Sequence, residues 1–514
     1  MKRILPHALS LFSALLVVFA FPPWNAWPLI FIALIPLFWA LDQTPSLRGR
    51  LGLSLLWGMA MSVGGMWWVG PTIVTFGELP SWTAPILVLL MSTIAEAQAL
   101  FTFPFRPWFR KMRWGGFAFA LFYATLDAWI PKLWKDTLGH VFHASPPLLQ
   151  WAEVGSAPLL TLFAVWINEL LYDAIKSRKL RPALTALAAF LIAFGFGKTR
   201  LEDMRIYENA KDHPHYSIAS IQANIEDYQK VAAERGFFGA GDTILNTYLS
   251  LSRSTIAHTP QPDWIIWPET AFPFLFRTPE TEFEKKHVQG VRNFVETYKI
   301  PVGFGGYDLD PNTHETFNSI YFLNADQSLE VYHKHHLLMF GEYLPFADWF
   351  PSIKTWIPNI GFFGKGPGPV VRPLPLQSLE GRPLHVGPTI CYEALIADYS
   401  IESVRMGAEL LLNVTNDGWF GDTGEPYHHL AQARFRSVET RTPFLRVTNT
   451  GISALILPSG DLVDPTPVGA IRATLYDIPI LPPPHTLVLE WGNWVPWLGC
   501  LLLALMFFIK RLKI

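Results

Sequence analysis

Three residues of different chemistry stand where hydrophobic runs end. Trp264–Ile265–Ile266–Trp267–Pro268–Glu269–Thr270 delivers a carboxylate at Glu269, Tyr332–His333–Lys334 an ammonium at Lys334, and the run from Leu384 a thiol at Cys391. Such a set suits attack on a carbonyl. The carboxylate takes the thiol proton and later handles the proton of the incoming acceptor. The ammonium sets positive charge where a tetrahedral oxyanion forms, together with backbone N–H groups near Tyr392. It also favours thiolate over a thiol whose ordinary pKa is about 8.5. Taken singly, Glu269 and Lys334 read equally as a structural ion pair, and Cys391 as a small buried core residue.

The elements that must hold these residues alternate between strand and helix. Strand patterns run over Tyr216–Asn224, Trp264–Trp267, Pro301–Gly305, Ser319–Asn324, Leu384–Ile390, Leu410–Val414 and Ile452–Leu457. Most are rich in β-branched or aromatic residues and are bounded by Gly, Pro, Asn or Asp. Helical patterns fall at about Asp242–Ala257, Glu280–Tyr298, Leu395–Met406 and Pro426–Glu439. The mixture predicts an α/β domain of layered sheets with helices outside. Trp349 to Pro375, rich in Gly, Pro and aromatics, reads either as a lid or membrane-dipping arm or as an ordinary surface loop.

Composition separates this domain from the rest of the chain. Half of the residues are hydrophobic and 16% are charged, with 21 Trp and 38 Phe, where soluble domains carry about 25% charged residues. Seven apolar stretches precede residue 200: about Leu9–Phe21, Trp27–Leu41, Leu53–Val69, Ala84–Phe103, Gly116–Ile130, Pro158–Tyr172 and Ala183–Phe196. An eighth, Trp494–Ile509, lies near the C-terminus. A helix of about 20 residues spans a bilayer, and several stretches are shorter, so the first two read also as a hairpin around Pro22–Pro23–Trp24–Asn25. Lys2–Arg3 before an apolar run resembles a signal peptide, but no small-residue cleavage site follows Phe21 and a retained anchor is expected.

Charge placement gives an orientation. With a cytoplasmic N-terminus and eight spans, fifteen Lys and Arg residues fall on the cytoplasmic side, among them Arg106, Arg110, Lys111 and Arg113. The short loops opposite hold only Lys132 and Lys135. That bias follows the positive-inside rule and sends the long segment outside the cytoplasm. The expected organisation is a membrane domain of about seven helices over 1–198, an extracytoplasmic catalytic domain over 199–490 and a membrane helix over 491–514. A net charge of −2 gives no reason to propose nucleic acid as a partner.

Cysteine usage adds to this. Of the two cysteines, Cys500 lies in the last apolar stretch, which leaves Cys391 alone in the outer domain with no internal disulfide open to it. Thiols outside the cytoplasm usually pair, so a lone one at a strand end suggests chemistry. His333, His335 and His336 flank Lys334 without a second cluster at ligand spacing, so they read as a polar face and neither metal nor cofactor is expected.

The order of these motifs resembles the nitrilase (carbon–nitrogen hydrolase) superfamily, whose Glu–Lys–Cys triad occurs in this sequence. Within it the chain is similar to the apolipoprotein N-acyltransferase family. The matching residues are Trp267–Pro268–Glu269–Thr270, Tyr332–His333–Lys334, Phe340 to Phe346, Ile390–Cys391–Tyr392–Glu393, Asn413 to Phe420, and a last block from Ala433 to Ser453 that includes Glu439, Arg441 and Arg446. The resemblance implies an αββα sandwich beside a multi-span α-helical membrane domain, in a bacterial inner membrane, with the catalytic domain periplasmic and both termini cytoplasmic. It implies an acyl chain taken from a phospholipid onto Cys391 and passed to the diacylglyceryl-cysteine of a lipoprotein. Glu269 would be the base, Lys334 the oxyanion support and Cys391 the nucleophile. Glu342 would orient the lysine, and Tyr392 and Glu393 would shape the pocket.

Two places depart from the family pattern: Val231, with Tyr228 nearby, stands where a tryptophan is expected, and Trp134 to His140 differs from a Gly-Pro-Trp-rich loop. The competing enzyme class is a membrane-anchored amide or nitrile hydrolase with water as acceptor. Eight spans argue against it, and an intact triad argues against a non-catalytic scaffold. No heptad repeat argues for assembly, and a monomer is expected.

Overall fold

A computed structural model describes residues 4–76, 80–132, 134–226, 229–230, 233, 238–257, 260–339, 341–344, 349–350, 352, 362–376, 382–482 and 485–512. Tyr228, Val231, Phe340, Pro345, Phe346 and Trp356 therefore lie outside the described residues, as does much of the 349–375 loop. Residues 1–204 with 485–514 form one compact unit and 205–484 a second.

The first unit is helical. Thr83–Phe109, Ala152–Ser177 and Leu180–Glu208 are long and apolar enough to cross a membrane, and Leu5–Ala20, Trp27–Asp42 and Trp494–Phe508 are shorter apolar helices. At about 1.5 Å per residue, the 29-residue helix Leu180–Glu208 outreaches a hydrocarbon core of about 30 Å. Apolar runs alone therefore underestimate these helices, because polar residues continue them at both ends. Trp27–Leu41, by contrast, is broken into a 3₁₀ turn, Trp27–Phe31, and a helix, Ile35–Asp42. Buried charge ties helices together. Arg106 meets Glu169 at 2.5 Å and Asp42 at 2.9 Å, with Phe38 and Tyr172 against its guanidinium. A buried cation of this kind persists only where it is paired and hydrogen-bonded.

The second unit is built on two sheets. In the first, β13 (Arg472–Pro479), β1 (His215–Gln222), β2 (Trp264–Ile266), β4 (Val302–Leu309), β5 (Thr316–Leu323) and β6 (Leu329–His333) lie in that order, with β3 (Phe272–Leu275) pairing β4. The second runs β12 (Leu462–Val463), β11 (Ala454–Ile456), β10 (Phe444–Thr448), β9 (Leu410–Thr415), β8 (Leu384–Ile390) and β7 (Arg372–Leu374). Side chains alternate across each strand. Tyr216, Ile218, Trp264 and Ile266 enter one core with Ile390, Leu412, Val414 and Val447 of the other sheet. Ala219, Ile221, Ile265 and Trp267 point the other way, into a core with Tyr248 of helix Phe238–Ile256 and Val291 and Phe294 of helix Glu282–Tyr298. Two face-to-face sheets between helical layers are the α/β sandwich that the sequence predicts.

Several strands escape sequence patterning. β13, Arg472 to Pro479, breaks its polar–apolar alternation at Leu475–Tyr476 and at Ile478–Pro479, and its place comes from antiparallel pairing with β1 along the whole strand, His215 opposite Pro479 to Gln222 opposite Arg472. β3, β7 and β12 are two to four residues long, too short for a period to register.

Candidate active site

Glu269, Lys334 and Cys391 each follow a strand, β2, β6 and β8. After β2 the chain turns through Thr270, whose φ is 50°, and Glu269 passes against Gly305 of β4. A Cβ on Gly305 would lie 2.5 Å from the Glu269 Cα, so this approach requires glycine. Glu269 is buried; its Oε1 accepts from Asn318 Nδ2 at 2.8 Å and its Oε2 from the Asn416 N–H at 2.8 Å. Asn416 directly follows β9, so the carboxylate joins the ends of the two sheets.

Lys334 is 1% exposed, with Nζ 3.6 Å from Glu269 Oε1 and 2.8 Å from the Glu342 carboxylate. Asn318 Nδ2 also donates to Glu342 Oε1 at 2.9 Å, and the Leu338 N–H donates to Oε2 at 2.7 Å. The two carboxylates and the ammonium are thus held by one asparagine and one another.

Cys391 directly follows β8 with φ 49°, a left-handed conformation that a residue with a Cβ rarely adopts. The turn throws the thiol off the strand end, and the residue stays partly accessible. Its carbonyl oxygen accepts from Asn413 Nδ2 at 3.3 Å and His429 Nε2 at 3.2 Å.

Burial raises the Glu269 carboxyl above its ordinary pKa, and Glu342 adds to this against Lys334, Asn318 and Asn416. Burial works to lower Lys334, but Glu342, Glu269 and Cys391 outweigh it and hold the amine protonated. Burial and Glu269 push the Cys391 thiol well up, opposed by Lys334 and the Thr415 hydroxyl. A neutral thiol beside a basic carboxylate and a fixed cation is equipped to lose its proton to that carboxylate as it attacks.

Tyr392 and Glu393 follow on a 3₁₀ turn, Cys391–Leu395. Burial pushes the Tyr392 phenol up to about 12. Glu393 is fully buried and accepts from the N–H groups of Ile390, His335 and His336 and from the Tyr332 hydroxyl, at 2.7 to 3.0 Å. Its carboxylate lies beneath the site, where it fastens the end of β8 to the chain after β6.

Asn318 is the group that sequence reading missed. A lone amide in the apolar strand Thr316–Leu323 is the only signal it leaves. His333 of the histidine run is stacked on Phe317 and hydrogen-bonded to Asp308 Oδ2 at 2.8 Å. Among the described residues, Asp417, Glu425 and His429 bring ligand-type atoms within 4.8 Å of one another. Arg446 pairs with Asp417 at 2.7 Å.

Fold and site together define a carbon–nitrogen hydrolase domain, and the family model of that description matches residues 217–471. The model described as the apolipoprotein N-acyltransferase N-terminal domain matches residues 13–170. Curated relatives named apolipoprotein N-acyltransferase align almost end to end. That of Bdellovibrio bacteriovorus is 28% identical over 96% of this chain and 91% of its own. That of Geobacter metallireducens is 28% identical over 90% and 87%, and that of Haemophilus influenzae 27% over 91% and 88%. The chain belongs to the apolipoprotein N-acyltransferase family and is a membrane protein.

Proposed function

We propose that this chain is a phospholipid-dependent N-acyltransferase that completes bacterial lipoproteins. In the first step the Cys391 sulfur attacks an ester carbonyl of a phospholipid while Glu269 takes the thiol proton. The oxyanion forms against Lys334, whose side chain is buried, and the Tyr392 N–H. Collapse breaks the ester bond, and the proton held by Glu269 passes to the departing lysophospholipid oxygen. In the second step the α-amine of a diacylglyceryl-cysteine attacks the thioester, Glu269 receives the amine proton, and the thiolate leaves as the amide forms. Glu342 orients Lys334, Tyr392 walls the site, and Glu393 holds it from below. Each buried CH₂ contributes about 0.8 kcal/mol, so both lipids stay in the bilayer, and membrane helices are what such a domain requires. The domain faces the periplasm of an inner membrane, with both chain termini cytoplasmic, and works as a monomer without a cofactor.

The observation that supports this most is the convergence of Glu269, Lys334 and Cys391 at three strand ends, in a chain related end to end to the acyltransferases. Intact-protein mass spectrometry after incubation with phospholipid tests it. Wild type gains the mass of one fatty acyl chain, removed by hydroxylamine, and Cys391→Ala does not. Folded wild-type protein that carries no adduct after rapid quenching would rule out Cys391 as the acyl carrier.

A further inference from the structure

A second charged layer lies behind the thiol, and the two steps above do not use it. Each donor to the Cys391 carbonyl is held from further back. Arg446 Nη1 donates to Asn413 Oδ1 at 2.8 Å, and its Nη2 donates to Asp417 Oδ2 at 2.7 Å. His429 Nδ1 lies 3.3 Å from Asp417 Oδ1 and 3.4 Å from Glu425 Oε1. All five side chains are buried.

The contacts settle which ring nitrogen carries a proton. A carbonyl oxygen only accepts, so His429 Nε2 donates at 3.2 Å to Cys391. Nδ1 then faces two carboxylates of different character. Asp417 is held ionised by Arg446 against its burial, whereas burial and Asp417 push the Glu425 carboxyl up to about 7. Whether or not Nδ1 is protonated, Nε2–H stays aimed at Cys391.

Two donors on one carbonyl fix the plane of the Cys391–Tyr392 peptide. That peptide begins at a left-handed residue, φ 49°, which its surroundings must over-determine. Donors on the C=O also polarise the N–H at the other end of the same peptide, and that N–H is the one assigned to the oxyanion. We propose that His429, braced by Asp417, Glu425 and Arg446, is a positioning residue that sets the nucleophile's backbone and strengthens the Tyr392 amide. This rests on Cys391 being the nucleophile.

The test uses the full chain in detergent with phosphatidylethanolamine micelles, and two variants. His429→Gln keeps an N–H donor of similar reach, and His429→Met removes it at similar volume. Two rates are read per folded enzyme: thioester formation against lipid concentration, and alkylation of Cys391 by iodoacetamide. For His429→Met we expect thioester formation about 10²-fold slower with half-saturating lipid unchanged, while His429→Gln stays within about tenfold of wild type. Alkylation slows in the same order, because losing the donor to the Cys391 carbonyl loosens the backbone that presents the thiol. A folded His429→Met chain at the wild-type rate overturns the proposal. So does a folded His429→Gln chain slower than wild type by more than about tenfold, and this arm decides alone if the methionine variant does not fold. Should wild type form no thioester, the acyl-carrier assignment fails by itself, and the alkylation rates still decide on His429.

Discussion

Burial and the Glu269 carboxylate push the Cys391 thiol up, while Lys334 and the Thr415 hydroxyl pull it down. The two neighbours therefore act on the thiol with opposite sign, and their removal separates electrostatics from catalysis. In a Cys500→Ser background, Glu269→Gln removes a repelling charge, so the pH of half-maximal alkylation at Cys391 falls. Acyl transfer falls as well, by about 10²–10⁴-fold, because the proton acceptor is gone. Lys334→Met moves the same alkylation midpoint up and also abolishes the cation facing the oxyanion. Alkylation rates against pH check both. A Glu269→Gln midpoint that stays put or rises would separate Glu269 from the thiol. Glu269, Lys334 and Cys391 are legible from residue type and position at strand ends. Asn318 is not, because its partners, Glu269 and Glu342, lie 49 and 24 positions away along the chain.

Strand ends and helix caps place these groups. Helix Glu282–Tyr298 covers the outer face of the first sheet through Val291, Phe294 and Val295. It starts with a reciprocal cap in which Thr281 Oγ1 accepts from the Glu284 N–H at 3.1 Å and Glu284 Oε2 from the Thr281 N–H at 3.2 Å. Thr281→Ala should cost about 1 kcal/mol locally, which speeds amide hydrogen exchange in the first turn about fivefold. Unchanged exchange there would show that packing alone sets the helix start. The period of this helix was readable because one face is buried and the other is charged. β13 was not readable, because an edge strand owes its conformation to β1 and carries no strong pattern of its own.

For the whole molecule, the distribution of Lys and Arg predicts which side each loop faces. Lys179 lies in a segment expected in the cytoplasm, and Asp477 in the domain proposed for the periplasm; both are exposed. In a background without Cys391 and Cys500, a cysteine at position 477 should react with an impermeant maleimide in spheroplasts. One at position 179 should react only after the membrane is permeabilised. The reverse pattern would overturn the orientation. Three helices of the first unit meet the length and apolarity of a span by themselves, and the shorter ones reach that length only with flanking residues.

Hydrophobic period and local motif depend on near neighbours, so the kinds of chemistry present and the strand ends that carry them are legible before the chain folds. The apolar character of the membrane half is legible in the same way, because apolar length needs no partner to be recognised, although the helix ends are not. Tertiary structure decided what each reactive group meets. The Asn416 N–H on Glu269, the Asn318 amide between two carboxylates, and His429 behind the Cys391 carbonyl all join residues 24 to 147 positions apart. Glu393 carries the same lesson: the family resemblance implies a part in shaping the pocket, and only the folded chain shows the four donors that hold its carboxylate. A buried carboxylate goes where its hydrogen bonds are satisfied, and those partners are assembled by packing, which no local pattern encodes.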